Sequence, residues 1–236
     1  MTPWLARLAE PPLASLDELN AFAAEAGIRV ASGAALRFVA PSADKARYGE
    51  YELQAFETGR VATRPDNLHD LFNALAWLAF PRTKAALNAR HAAAIPAEHG
   101  RRGPLRDLLT LLDEGGAIVV CDDPLLAQLL AKREWSALFW EQRERTASGF
   151  DVRLLGHAAL EQALKPWPGL TCKALVVAPG DADGQAADWV RALPADASPR
   201  VLPPLPIFGV PGWWPGQDAA FYADRRYFRA GAGLAR

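Results

Sequence analysis

Residues 63–91 constrain this chain more than any other stretch, because they hold two helical patterns separated by a single proline. Leu68, Leu71, Leu75 and Leu78, with Phe72 and Ala79 beside them, recur at spacings of three and four. That spacing predicts one buried stripe on a helix ending near Phe80. Thr63 with Asp66 three residues later resembles a capping box, and Asp66 is itself a good N-cap. Pro81 removes an amide donor and restrains Phe80, so the chain turns or kinks there. A second helix is expected from Arg82 to about Ala92.

Each helix also carries a polar line. His69, Asn73 and Trp77 repeat at spacing four with Asp70 at the edge, and Lys84, Asn88 and His91 share a face of the second helix. Two short helices with such lines could face each other across a cleft. The same residues also suit a structural role, since Asn and His can tie a kinked corner to the backbone.

The rest of the chain reads as mixed α/β (α+β), mostly helical, with a small three- to four-stranded sheet. Its 236 residues, half of them hydrophobic, suffice for a substantial core, and 1–236 is expected as one compact domain. Within it, 1–45 is an N-terminal helical region and 203–236 an extended aromatic and proline-rich tail packed on the core. Pro3–Glu10 and Ser15–Ala26 read as helices, the second with Ser15 and Glu18 as a capping box and Gly27 as its stop. Leu36–Val39 suggests a short strand, Tyr48–Thr58 a helix, and Arg60–Arg64 a connector. Leu105, Leu108, Leu109 and Leu112 form a helix face behind Pro104. Ala117–Cys121, Asp151–Leu155 and Leu170–Val177 read as strands, with short helices from Leu125 to Lys132, His157 to Leu164 and Asp188 to Leu193. Trp135 to Arg145 continues as one aromatic helix, with Trp135, Phe139 and Trp140 in the core rather than stacked on bases. Asp151–Val177 forms a strand–helix–strand unit for which parallel pairing is expected, although the helix is short for a crossover.

Charge narrows the function classes. The chain stands at −1 overall, which argues against a general nucleic-acid-binding surface. Arg60–Arg106 is locally basic, with eight Arg or Lys against three Asp or Glu, and holds His69, His91 and His99. A small anionic ligand fits such a segment. Cys121 and Cys172 each lie in or beside a strand and read as buried free thiols. The start of the chain lacks a long apolar stretch and no run is long enough to cross a bilayer, so a cytoplasmic protein without a membrane partner is expected.

The candidate chemistry rests on two clusters brought together by folding. His157 follows a strand, four residues before Glu161, so the two share a helix face. His69, Asp70, His157 and Glu161 are the candidate catalytic set and also the candidate ligands for a divalent metal, the cofactor question being otherwise open. Arg64, Asn73, Arg82, Lys84, Asn88 and His91 are the candidate substrate-binding residues. Asp113 and Glu114 end a helix, where acids oppose the dipole and call for a cation, and they could complete the site. No glycine-rich phosphate loop, nucleophile elbow or zinc-deaminase pattern is present.

Several blocks resemble one family. They are Tyr51-Glu52 through Gly59-Arg60-Val61-Ala62-Thr63-Arg64; Asn67 to Leu75 with Trp77, Phe80-Pro81, Lys84 and Leu87-Asn88; Thr110 to Glu114; Leu138-Phe139-Trp140; Gly156-His157-Ala158 with Glu161; and Pro211 to Trp214 with Phe221-Tyr222. Together they are similar to a bacterial family known as domain of unknown function 3025. Ala62 stands where Pro is common in that pattern and Leu155 where Phe is common, and neither change removes a reactive group. The resemblance implies one conserved fold unit and carries no activity. The functional expectation is therefore a hydrolase acting on a small anionic substrate through a His/Asp/Glu site. Its rivals are a non-catalytic binding or scaffold protein for a peptide, nucleotide or partner protein, and a nucleic-acid binder or nuclease. Oligomeric state is left open.

Overall fold

The computed structural model describes residues 14–42, 49–98 and 100–231. The expected Pro3–Glu10 helix, the Tyr48 end of the next one, His99 and the last five residues lie outside them.

Leu16–Glu25 (α1) opens with the capping box, the Glu18 carboxylate accepting from Ser15 N at 2.8 Å and Ser15 Oγ accepting from Glu18 N at 3.3 Å. Arg37–Val39 (β1) follows. Asn20 of α1 clasps β1 like a neighbouring strand, giving its amide to Phe38 O and accepting from Phe38 N. Glu50–Thr58 (α2) then reverses through Gly59 into Arg60–Ala62 (β2). Gly59 sits at φ 72°, and a Cβ there would fall 2.1 Å from Ala35 O, so glycine is required twice over. The reversal pairs β2 parallel to β1 in the register Phe38↔Val61, so part of the expected connector is a strand.

Leu68–Ala79 (α3) is capped by Asn67, whose side chain accepts from Asp70 N, rather than by Thr63 or Asp66. Asp66 instead turns the chain at φ 55°. Leu71, Leu75 and Leu78 are buried as the stripe predicts, but Leu68, at the helix mouth, is 38% exposed. Pro81–Ala94 (α4) starts on Pro81, where the missing amide costs nothing. Its N-cap Phe80 offers no side-chain acceptor. Asp183, about a hundred residues away, takes over by accepting from Arg82 N at 3.0 Å and Thr83 N at 2.9 Å. α4 is polar in sequence yet buries Thr83, Lys84, Asn88 and His91 as well as Ala85, Ala86 and Leu87.

Pro104–Gly115 (α5) leads directly into Gly116–Val120 (β3), and Pro124–Lys132 (α6) follows with Asp123 as its cap. The expected aromatic helix is broken: Ala137–Glu141 forms a wide π turn that buries Leu138 and Phe139, and Arg143–Gly149 (α7) resumes after Gln142. Asp151–Leu154 (β4), His157–Ala163 (α8), Thr171–Val177 (β5), Ala182–Ala192 (α9), Pro204–Pro206 (β6) and Ala219–Ala223 (α10) complete the order.

The larger sheet runs β4-β3-β5-β6, with β3 parallel to β5 and antiparallel to β4, and β5 antiparallel to β6. β3 lies between β4 and β5, so the expected parallel unit does not form. β4 runs opposite to β5 and ends at the edge where β5 begins. The short α8 therefore has no need to travel back along the sheet. It stays at that edge, where α5 also ends.

The sheet alternates its faces. Ala117, Val119 and Cys121 pack with α6, the π turn and the tail, whereas Ile118, Leu175 and Val177 pack with α4, α5 and α9. A third cluster joins α1, β1, β2 and α3. The tail is fastened by polar contacts within its aromatic packing: Tyr227 Oη donates to Leu170 O at 2.8 Å, and Gln217 Nε2 donates to Phe208 O and Val210 O. Cys121 and Cys172 are buried free thiols, and burial pushes Cys172 up to about 12.

Candidate functional site

Gly156 sets the geometry. A Cβ on it would stand 2.6 Å from both Glu114 O and Gly116 N, so only glycine lets the start of α8 press against the end of α5. Gly156 N donates to Gly116 O at 2.9 Å. This contact delivers His157 beside Asp113, with His157 Nδ1 3.9 Å from Asp113 Oδ2. α8 also packs across α3, which brings His69 to the same place.

The result is a chain of side chains running inward from solvent. Glu161 Oε2 lies 2.9 Å from His69 Nδ1, and His69 Nε2 lies 3.2 Å from His157 Nε2, with ring centroids 4.5 Å apart at 75°. The His69 and Glu161 side chains are 38% and 43% exposed, so this end is open to solvent, whereas the His157 side chain is 7% exposed. Beyond His157, Asp113 forms an ion pair with buried Lys84. Lys84 Nζ also donates to Asn73 Oδ1 at 2.8 Å and sits 5.5 Å from the Trp77 ring. Asn73 Nδ2 donates to Tyr51 Oη at 2.9 Å. The Tyr51 residue is 36% exposed, but its hydroxyl points inward onto Asn73, so the ring covers the inner end of the chain.

A second branch lies along α4. Asn88 Nδ2 donates to Glu52 O at 2.9 Å and Glu52 Oε2 at 2.7 Å. Arg106 Nε donates to His91 Nδ1 at 3.0 Å, and Arg106 Nη1 to Glu98 Oε2 at 2.9 Å.

Burial and neighbouring charge set the protonation states. Burial pushes His157 down to about 4; Lys84 and His69 add to this and Asp113 opposes it. Burial likewise takes His91 down to about 4 and Glu52 up to about 6. Burial alone would raise Asp113, but Lys84 and His157 hold it below the usual carboxylate range. Tyr51 is raised by burial and by the Glu52 and Asp113 charges. Two atoms of the network, His157 Nδ1 and Asn88 Oδ1, are buried without a hydrogen-bond partner.

Of the residues singled out from sequence, His69, His157 and Glu161 come together, and Asn73 and Lys84 join them through Asp113. Asp70 does not: its carboxylate is taken up by Arg64 N, Nε and Nη2, which clasps the start of α3. Arg64 is thereby committed as well. Arg82 lies elsewhere, paired with Asp181 and Asp183 at the cap of α4. Asn88 and His91 belong to the second branch. Tyr51, Glu52, Glu98 and Arg106 were not singled out. The signal that could have found them is the polar line Lys84, Asn88, His91 itself, since buried polar groups require partners.

Among the described residues no group of three or more His, Cys, Asp and Glu side chains stands so that it could hold a metal ion. None of the described helices is long and apolar enough to cross a membrane.

Fold and site together define a mostly helical α/β protein that buries a network of ionisable groups between its helices, with one end reaching solvent. The chain belongs to the family described as protein of unknown function (DUF3025), whose model matches residues 36–232 and so takes in every residue of the network. Comparison with curated proteins and with solved structures gave no match.

Proposed function

We propose that the protein is an enzyme working by acid–base chemistry, a hydrolase of a small substrate, with His69 as the reacting base at the solvent edge. The observation that carries this reading is the convergence of Glu161, His69, His157 and Asp113 into one chain of contacts from solvent to a buried ion pair. Buried ionisable groups cost stability unless paired, and perturbed ones gather at functional sites. Glu161 accepts the His69 Nδ1 proton, which fixes the tautomer and steadies the ring when it becomes imidazolium. A ring rotation that frees Nε2 lets His69 take a proton from an attacking water and return it to the leaving group. Lys84 holds Asp113 ionised behind His157, and Asn73 in turn holds the Lys84 ammonium.

Arg64, Arg82 and Lys84 were the expected anion ligands, and each is occupied by a carboxylate. None of the three is therefore free to meet an anionic substrate. The same pairing argues against a nucleic-acid groove, because Lys84 is 3% exposed and out of reach of a phosphate. The rival reading, a binding or scaffold protein, draws on the way the network ties α2, α3, α4 and α5 together.

The test is turnover of a panel of chromogenic carboxyl esters, phosphomonoesters and phosphodiesters by the full chain, His69→Gln and Glu161→Gln. Loss of a general base is expected to cost about 10²–10⁴-fold in His69→Gln. Turnover unchanged in both variants, or no turnover of any class, refutes the hydrolase reading.

A further inference from the structure

We propose that His157 is a positioning residue for His69: a neutral imidazole with its hydrogen on Nδ1, whose bare Nε2 accepts the Nε2–H of His69 when His69 is imidazolium and releases the ring when it is not. The catalytic meaning of this contact rests on the hydrolase reading; the contact itself does not.

The first argument is a count of hydrogens. His69 Nδ1 lies 2.9 Å from Glu161 Oε2, and a carboxylate can only accept, so that nitrogen carries hydrogen. The two Nε2 atoms lie 3.2 Å apart, a hydrogen-bond separation, so one hydrogen lies between them. Its owner is decided at His157 Nδ1, which is buried and has no hydrogen-bond partner. That atom faces the Asp113 carboxylate at 3.9 Å, too far to bond but near enough for charge to act. A lone pair there is repelled by the carboxylate and an N–H is attracted. Lys84 opposes this effect, but Asp113 acts on the ring more strongly. The His157 hydrogen therefore belongs on Nδ1. Burial keeps that ring neutral down to about pH 4, so its Nε2 is bare. The hydrogen between the rings is then His69's, and His69 carries one on each nitrogen.

The second argument is where the surrounding charges cancel. Asp113 of α5 is paired with Lys84 of α4, and Asp70 of α3 with Arg64. Tyr51 and Glu52 of α2 bond to Asn73 and Asn88 rather than to either ring. Among the described residues Glu161 of α8 has no ion pair except the one with His69. The uncancelled negative charge thus lies at the half-exposed end, against His69 and not against buried His157.

Taking the proton from His69 Nε2 would leave two lone pairs facing each other at 3.2 Å. The contact then breaks, and His69, still tied to Glu161 through Nδ1, turns its Nε2 outward. Loss of a proton is thus the event that frees the base. In the reaction His69 Nε2 takes the proton of the attacking water, and His157 offers that N–H an acceptor until it passes to the leaving group.

The experiment records ¹⁵N ring spectra of the full chain, without substrate, from about pH 5 to 8. His157 is expected in the Nδ1–H form throughout. A ring-to-ring proton contact with His69 is expected while His69 is doubly protonated and is lost when it is not. His157 in the Nε2–H form, or a contact indifferent to the state of His69, overturns the proposal. His157→Phe keeps a buried ring but no acceptor, and the movement of the His69 ring with pH is lost; movement that survives this change also overturns the proposal. His157→Gln keeps a carbonyl acceptor and is expected to retain the movement, which a purely space-filling role would not require. The parent spectra decide alone if His157→Phe does not fold. Because no substrate is present, failure here leaves the hydrolase reading standing, and absence of turnover leaves this contact standing.

Discussion

Glu52→Gln is expected to stabilise the protein at neutral pH and to leave it unchanged in acid. Glu52 lies on α2 with its Oε2 accepting from Asn88 Nδ2 at 2.7 Å. Burial raises its carboxyl from 4.5 to about 6, with the Asp113 charge adding to this and the Asn88 bond and Lys84 opposing it. The native state therefore binds more protons than the unfolded chain between pH 4.5 and 6. Stability must fall as pH rises through that window. A tenfold change in proton affinity corresponds to about 1.4 kcal/mol, so ionised Glu52 costs roughly 2 kcal/mol above pH 6. Glutamine keeps a carbonyl oxygen for Asn88 and cannot ionise. The difference between variant and parent should thus be near zero below pH 4.5 and rise to roughly 2 kcal/mol in favour of the variant above pH 6. For a chain of this size that is a gain of about 4–8 °C in Tm. Urea unfolding of both proteins across this range measures it, and the pH dependence of groups that do not interact with Glu52 cancels in the difference. A difference that is flat with pH, or a variant less stable at neutral pH, would refute the reasoning.

Other perturbations probe separate parts of the same architecture. His91 is held neutral at about 4, so the native state binds fewer protons than the unfolded chain between pH 6.5 and 4; acid should cost about 3 kcal/mol across that window, and His91→Gln should remove that part of the acid sensitivity in urea titrations. Lys84→Met leaves Asp113 and Asn73 without their cation and should cost about 3–5 kcal/mol, whereas Lys84→Met combined with Asp113→Asn should cost less than the single change, a comparison for chemical denaturation. Asp183→Ala strips the cap that α9 lends to α4 and should cost about 0.5–2 kcal/mol by the same measurement. Gly156→Ala forces backbone against backbone at the α5–α8 contact; a loss of about 1–3 kcal/mol is expected, together with weakened coupling between the His69 and His157 resonances in NMR spectra.

What was legible in the sequence was local. Leucine spacing marked the buried side of α3, Pro81 marked the start of α4, and the short apolar runs of β3 and β5 marked the sheet, because each of these depends on residues within a few positions of one another. β2 was hidden because three residues between two turns carry little periodicity, and its partner β1 is just as short. The π turn was hidden for a different reason: burying both Leu138 and Phe139 depends on what they pack against, not on their spacing. The cap of α4 was invisible from Phe80 alone, since the acceptor comes from Asp183.

The site shows the same division with one exception. Helix spacing identified the polar faces of α3, α4 and α8 but could not say which faces meet. That depends on strand order: β4 runs opposite to β5, so α8 stays at the edge where α5 ends, and His157 meets both Asp113 and His69. The exception is Asp113. An acid at a helix C-terminus opposes the dipole, and burial raises its cost further, so a cation had to be near it whatever the strand order. Lys84 is that cation, and because its ammonium is held by Asn73 and lies over the Trp77 ring it fixes where Asp113 must point. The requirement for a partner was written in one helix and the partner in another. Only the path of the sheet between them, carried by residues with no chemistry of their own, joined the two.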